Sequence, residues 1–166
     1  FFSSNSLFLL NKESIFLFIG TIIIFVIGLL DDRYNISVYY KLLAQIIASL
    51  IIISSIDYIN TFQWTFLFDS EYKVISYFIS LFFILAVING INFIDGLDGL
   101  LISISILFLL FYIVLFKNIG FQITDLKFIF VILGILIAFF IFNKYPAKVF
   151  LGDSGSLLLG WFFSIL

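Results

Sequence analysis

The chain has 166 residues, of which 64% are hydrophobic and 11% are charged, and its formal net charge is −2. This composition is typical of an integral membrane protein, and the lack of a basic surface argues against a nucleic-acid-binding protein. Cysteine and histidine are both absent, which excludes disulfides and leaves oxygen as the ligand type for any metal, as Mg²⁺ or Mn²⁺ prefers. Methionine is absent too, and we expect an internal fragment with both ends missing.

Six apolar stretches predict an all-α, polytopic membrane protein with about five complete transmembrane helices and one truncated helix. In chain order the predicted spans are residues 15–30, 41–56, 74–88, 100–116, 128–142 and, truncated, 157–166. Because successive spans alternate in direction, the polar segments after the first, third and fifth spans should lie on one face, where their acidic groups can converge. Lysine and arginine divide equally between the two faces, so the positive-inside rule does not assign the cytoplasmic side.

The first polar segment begins with Asp31 and Asp32, directly after the first predicted span. Neighbouring carboxylates repel one another unless a cation lies between them, and a divalent metal or a metal-bound diphosphate would supply that cation. Alternatively, the two acids only end the helix at the membrane interface, with Arg33 as their counter-ion. That interpretation is less favourable because acidic groups at a helix C-terminus oppose the helix dipole.

The second polar segment, residues 89–100, lies between two apolar runs and contains three glycines. Its amides and acids recur at every third position: Asn89, Asn92, Asp95 and Asp98. A carboxylate in hydrocarbon costs at least a few kcal/mol, so the segment should lie at a membrane edge or in a wet cavity. On a regular helix this spacing drifts by about 60° per step, so we predict a helix that ends near Asn89, a polar turn, and a helix that starts near Asp98. Alternatively, one aspartate only caps the next helix and the asparagines close a turn.

The third polar segment, residues 146–156, contains the only proline of the chain and two glycines that would let the backbone approach a ligand. Its two serines are predicted to cap the following helix, whose N-terminus would suit a phosphate, and Lys148 could neutralise an anion. Alternatively, the segment is a capped turn with Asp153 as an interfacial N-cap. In the second segment, the ring of Phe93 is a candidate for stacking on a nucleobase.

These three segments, in this order, resemble the polyprenyl-phosphate N-acetylhexosamine-1-phosphate transferases, glycosyltransferase family 4. The resemblance rests on residues 28–32, 41–48, 89–100 and 146–156 and covers most of the chain. The Pro-Ala-Lys sequence before Gly152 looks closer to the undecaprenyl-phosphate GlcNAc-1-phosphate transferase branch than to the muramyl-pentapeptide branch. The family also carries a downstream loop with His or Arg and an N-terminal segment, which we expect outside this fragment.

The resemblance implies a single transmembrane catalytic domain over residues 1–166, in the bacterial inner (plasma) membrane, with its active-site loops on the cytoplasmic face. It implies transfer of a sugar-1-phosphate, GlcNAc-1-phosphate in this branch, from a UDP-N-acetylhexosamine to polyprenyl phosphate with Mg²⁺ or Mn²⁺. UMP leaves, and the polyprenyl-diphospho-sugar is the first intermediate of a cell-surface polysaccharide such as O-antigen. The implied site residues are, for catalysis, Asp31 and Asp32; for substrate binding, Asn89, Asn92, Phe93, Lys148 and Asp153; and for the metal, Asp95 and Asp98.

Two other functions are compatible with acidic loops in a membrane protein. An intramembrane prenyltransferase also holds Mg²⁺-diphosphate with aspartates, but the Asp-x-x-x-Asp spacing of that class is absent here. A cation transporter would carry its acids at mid-span depth, whereas in this chain they lie at the ends of the predicted spans.

Overall fold

The computed structural model describes residues 12–55, 73–118 and 126–166. These residues form six α-helices: α1 Lys12–Tyr34, α2 Val38–Ile53, α3 Lys73–Ile94, α4 Leu100–Asn118, α5 Lys127–Asn143 and α6 Gly152–Ile165. The predicted all-α fold is therefore confirmed. Of the predicted loops at 57–73 and 117–127, residues 57–72 and 119–125 lie outside the described residues.

Three of the helices are long and apolar enough to cross a membrane: Ser14–Tyr34, Val74–Ile94 and Leu100–Asn118. Helices α2 and α5 are apolar but shorter. Large apolar side chains such as Phe18, Phe82 and Leu107 are exposed on the long helices, as expected for surfaces that face lipid rather than water. The chain is thus a polytopic membrane protein, in agreement with the prediction.

The described chain divides into two compact units. The first unit consists of α1, α2, α3 up to Phe93, and residues 151–166 with α6. The second unit consists of residues 94–150 in their described part, with α4, α5 and the loops next to them. Each unit has its own packing, and the polar segments are distributed between them.

The core of the first unit is built from all four of its helices. Its buried side chains are Ile24, Ala48, Ile52, Ile53, Ile84, Ile88, Leu157 and Trp161. Small residues let α6 approach its neighbours closely: a Cβ atom at Gly28 would lie 2.5 Å from Cα of Ser154, and one at Gly160 would lie 2.7 Å from Cα of Ile88. The polar start of α6 is therefore held against the polar end of α1.

In the second unit, α4 packs against α5. The loop after α5 folds back onto the C-terminus of that helix. The backbone N–H of Lys148 donates to the carbonyl of Phe142 at 2.8 Å, and the buried Asn143 donates from Nδ2 to the carbonyl of Val149 at 2.9 Å. Residues 144–149 are thus tied to the end of α5 by both backbone and side-chain hydrogen bonds.

The first predicted span ends too early. Helix α1 continues through both aspartates to Tyr34 instead of ending at Leu30. Asn35 follows with φ of 49°, and its N–H donates to the carbonyl of Asp31 at 2.8 Å. Asparagine tolerates this left-handed conformation, which commonly closes a helix. Asp31 and Asp32 are therefore helical residues.

The predicted end of the third span is also wrong. Helix α3 runs through Asn89 and Gly90 to Ile94, a turn occupies residues 95–99, and α4 begins at Leu100. Asn89 and Asn92 consequently lie one turn apart on one side of a helix. The last helix starts at Gly152, five residues before the predicted Leu157, so the acidic and serine residues of the third segment are in its first turns.

Candidate functional site

Asp31 and Asp32 accept their short hydrogen bonds from different helices. Consecutive side chains on an α-helix point about 100° apart, and here they reach different elements. Asp31 is 8% exposed and accepts a hydrogen bond at Oδ2 from Nζ of Lys41 at 2.7 Å. The exposed Asp32 accepts the backbone N–H groups of Asp153 at 2.7 Å and of Ser154 at 3.0 Å. Asp31 therefore contacts α2, whereas Asp32 contacts the start of α6.

Lys41 supplies the cation that brings α1 and α6 together. Its Nζ lies 2.7 Å from Oδ2 of Asp31 and 2.9 Å from Oδ2 of Asp153, which is 112 residues away along the chain. The ammonium is half-buried, so water screens these contacts less than it would at an open surface. Sequence reasoning did not name Lys41 as a site residue. The available signal was a lysine in the first turn of an otherwise apolar helix.

Asp153 is held from its other side by α3. Nδ2 of Asn92 donates to Oδ1 of Asp153 at 3.2 Å and to Oγ of the buried Ser156 at 2.7 Å. Lys41 and Asn92 thus engage opposite oxygens of a single carboxylate. This arrangement depends on the continuation of α3 beyond Asn89, because Asn92 occupies the last turn of that helix.

Asn89, one turn earlier on α3, pairs with Gln45 of α2. Nδ2 of Asn89 donates to Oε1 of Gln45 at 2.7 Å, and Nε2 of Gln45 donates back to Oδ1 of Asn89 at 3.4 Å. Gln45 is 1% exposed. A buried amide is costly unless it has a partner, so this reciprocal pair fixes α2 and α3 against each other.

A pocket of about 160 Å³ opens beside these groups. It is lined by Val38, Lys41, Leu42, Gln45, Asn89, Asn92 and Leu157. Four of the lining residues are polar and three are aliphatic.

The start of α6 differs from the prediction. The N-cap position is Leu151, which makes no side-chain cap, so neither serine caps the helix as predicted. Two of the first backbone N–H groups are instead taken by the Asp32 carboxylate. Gly152 has φ of +71°, and a Cβ atom there would lie 2.8 Å from Oδ1 of Asp32. The carboxylate of Asp32 therefore occupies the N-terminus of α6, where the sequence predicted a phosphate.

In the second unit, the turn before α4 is joined to the loop after α5. Oδ2 of the exposed Asp98 accepts the backbone N–H of Ala147 at 3.0 Å. The N–H of Gly99 donates to Oδ1 of Asn143 at 3.1 Å. Asn143 is buried and was missed by sequence reasoning, which gave it no role. It connects α4 to the Pro-Ala-Lys loop through both ends of its amide.

The predicted site residues are distributed between the two units. The structure brings together Asp31, Asp32, Asn92 and Asp153 around Lys41, with Asn89 one turn away. The ring of Phe93 is 89% exposed in the same unit. Asp95, Asp98 and Lys148 belong to the second unit, where Asp95 is half-buried and Lys148 is exposed.

Suitable oxygen donors for Mg²⁺ are present in both units. Within the part of the chain that the structure describes, three acidic side chains do not gather at one point closely enough to hold an ion alone. Mg²⁺ is usually bound by one or two carboxylates, with water and substrate phosphates completing its shell. The donors present fit that mode of binding rather than a closed protein cage.

Comparison with known proteins identifies a family to which the sequence is similar. The family model described as glycosyl transferase family 4 matches residues 14–166. A Bacillus subtilis (strain 168) protein named probable undecaprenyl-phosphate N-acetylglucosaminyl 1-phosphate transferase is 36% identical over 149 residues, which cover 89% of this chain and 41% of that protein.

Two relatives carry a different name. A phospho-N-acetylmuramoyl-pentapeptide-transferase of Dictyoglomus thermophilum is 33% identical over 171 residues, covering 96% of this chain and 53% of that protein. The Lactobacillus helveticus protein of the same name is 37% identical over 166 residues, covering 91% and 50%. The chain spans about half the length of the curated relatives it matches. Because the family model covers nearly all of its residues, the chain belongs to glycosyl transferase family 4.

Proposed function

We propose that the full-length protein transfers a sugar-1-phosphate from a UDP-N-acetylhexosamine to polyprenyl phosphate. UMP is released, and the product is a polyprenyl-diphospho-sugar. The observation that carries the proposal is the cluster in which Lys41 joins Asp31 to Asp153, in a chain that belongs to this family. The names of its relatives support the same reaction class.

The charge of the cluster suits phosphoryl transfer assisted by a divalent cation. Asp31, Asp32 and Asp153 supply three negative charges and Lys41 one positive charge, which leaves a formal charge of −2. A bare phosphate would be repelled by such a site, whereas a divalent cation would be attracted. Phosphoryl transfer depends mainly on positioning and charge neutralisation. The cluster offers positioning, and a bound divalent cation would supply the neutralisation.

We assign different roles to the two neighbouring aspartates. Asp31 faces Lys41 and is proposed to act at the reaction centre, where its carboxylate would accept the proton of a lipid phosphate that is not fully ionised. That phosphate is largely ionised at neutral pH, so its attack does not require a strong general base. Asp32 is proposed to serve the same centre by holding Asp153, because both of its oxygens accept backbone N–H groups of α6.

The remaining predicted residues are proposed as binding groups. Asp95 and Asp98 would hold Mg²⁺ or Mn²⁺, which supplies neutralisation of the diphosphate charge. Lys148 is an exposed cation suited to a phosphate group. The exposed ring of Phe93 is suited to stacking on a nucleobase. Asn89, Asn92 and Asp153 are proposed to line the path of the substrate, with Asn92 orienting Asp153.

For the sugar we propose N-acetylglucosamine, which makes the reaction the first step of a cell-surface polysaccharide. The basis is the Pro-Ala-Lys loop and the name of the Bacillus subtilis relative. We further propose that the protein lies in the bacterial plasma membrane with the residues of the polar segments on the cytoplasmic side. The apolar helices support the membrane location.

The proposal is tested by measuring UMP release from the purified full-length protein with undecaprenyl phosphate and Mg²⁺. One arm supplies UDP-GlcNAc and a second supplies UDP-MurNAc-pentapeptide, and each arm is repeated without lipid and with EDTA. We expect UMP from UDP-GlcNAc only when both lipid phosphate and metal are present. Release from UDP-MurNAc-pentapeptide alone would replace the proposed sugar, and no release in either arm would overturn the proposed reaction.

A further inference from the structure

We propose that Gln45 is a positioning residue, whose pairing with Asn89 fixes α2 against α3 so that Lys41 and Asn92 both reach Asp153. The inference concerns the site of the proposed function. Its main test, however, measures a contact within the protein and does not require turnover.

The amide pair lies one helical turn from each of the residues that it would position. Gln45 follows Lys41 by four residues on α2, and Asn89 precedes Asn92 by three residues on α3. Side chains at these spacings lie on the same side of a helix. If α2 moved along or around its axis so that Gln45 left Asn89, the position of Lys41 relative to Asn92 would change as well.

The pair is directional, which distinguishes it from ordinary packing. Each amide both donates to and accepts from the other, at 2.7 Å and 3.4 Å, and Nδ2 of Asn89 also donates to the carbonyl of Leu85 at 2.8 Å. Gln45 is buried, so separation would leave its amide without water to replace the lost partner. An aliphatic side chain of similar size would fill the space but would not prevent α2 from sliding along α3.

All four residues line the same pocket. The amide side chains of Gln45 and Asn89 line it together with Lys41 and Asn92, and the last two both donate hydrogen bonds to Asp153. Loss of the pair is therefore expected to weaken the contact between Lys41 and Asp153. The Lys41–Asp153 contact depends on α3 because Asn92 holds Asp153. The Lys41–Asp31 contact joins α1 and α2, which pack directly on each other, and it should persist.

The experiment uses a zero-length carbodiimide cross-link, which forms an amide only between an amine and a carboxylate in contact. Full-length protein in detergent is treated, digested with chymotrypsin, and the Lys41–Asp153 and Lys41–Asp31 products are quantified by mass spectrometry. In Gln45→Leu we expect the ratio of the first product to the second to fall about fivefold, as the loss of roughly one net hydrogen bond predicts. The matched control is Ser49→Ala, because that buried hydroxyl bonds only within α2, and its ratio should equal that of the wild type.

The exchanged pair Gln45→Asn with Asn89→Gln restores complementary amides and should recover most of the cross-link ratio. If Gln45→Leu does not fold, Asn89→Leu removes the pair from its exposed side and should lower the ratio equally. An unchanged ratio in the folded Leu variant, or no recovery in the exchanged pair, would overturn the inference. In active protein, Gln45→Leu should lower kcat/KM for the UDP-sugar about tenfold. Absence of UMP release from the wild type would count against the proposed function only.

Discussion

Among single residues, Lys41 has the largest influence on the electrostatics of the first unit. It lies between two carboxylates that come from helices far apart in the chain. Removal of one partner from a buried ion pair is more damaging than removal of the whole pair, because it leaves an uncompensated charge. The effects of substitutions here should therefore depend strongly on one another.

Lys41→Met is expected to lower the stability of the protein by about 2 kcal/mol and to reduce turnover at least about a hundredfold. Methionine keeps the length of the side chain but leaves Asp31 and Asp153 repelling one another. The double variant Lys41→Met with Asp153→Asn removes that repulsion, so it should be more stable than Lys41→Met alone. Thermal unfolding measures the stability of the single and the double variant, and UMP release measures turnover. A double variant that is less stable than the single one contradicts the bridging role.

Asp32→Asn tests the difference between the two neighbouring acids. The amide keeps one acceptor for the N-terminus of α6 but turns an N–H group toward the backbone donors of Asp153 or Ser154. We expect turnover to fall about tenfold, and Asp31→Asn to reduce it further, because only Asp31 faces Lys41. The assay is UMP release at saturating substrates. Full turnover by Asp32→Asn would mean that this assignment is wrong.

At the scale of helices, tertiary contacts decided the boundaries that local sequence signals left open. Asp31 and Asp32 looked unfavourable at a helix C-terminus, yet α1 includes them because Lys41 and the N-terminus of α6 satisfy their charges. Gly90 looked like a break, but α3 continues through it to place Asn92 beside Asp153. Neither partner is adjacent in sequence, so periodicity and capping rules had no access to these contacts.

Replacing Gly90 or Gly152 by alanine should change the stability of the protein in opposite directions, because the tertiary contacts of the two glycines differ. At Gly90 the described residues bring no atom within 4 Å of a Cβ atom added there. Alanine in a helix is more stable than glycine by roughly 0.5–1 kcal/mol. At Gly152 a Cβ would meet the Asp32 carboxylate at 2.8 Å, and φ is +71°, so alanine should destabilise by about 1–3 kcal/mol. Thermal unfolding of both variants checks the signs, and UMP release should fall only in Gly152→Ala. A stabilising Gly152→Ala would contradict the described start of α6.

At the scale of the whole molecule, composition and the order of three polar segments were sufficient to predict a polytopic all-α protein and its family. They were sufficient because an apolar run of about 20 residues has few alternatives to a membrane helix. The hydrogen bonds of Lys41, Gln45 and Asn143 were not predicted. Each depends on which residue from a distant helix lies opposite, and a single sequence does not contain that information.

Metal binding should be detectable in the folded protein without any substrate. Asparagine at positions 95 and 98 removes two negative charges, while its side-chain oxygen at position 98 can still accept the N–H of Ala147. If Asp95 and Asp98 hold Mg²⁺ or Mn²⁺, a concentration about tenfold above Kd should stabilise the wild type by about 1.4 kcal/mol, or a few degrees in Tm. The double variant Asp95→Asn with Asp98→Asn should lose that shift while it keeps a similar Tm in EDTA. An equal metal-induced shift in Tm of both proteins would mean that other carboxylates bind the ion. Asp31 and Asp153 would then be the next pair to substitute.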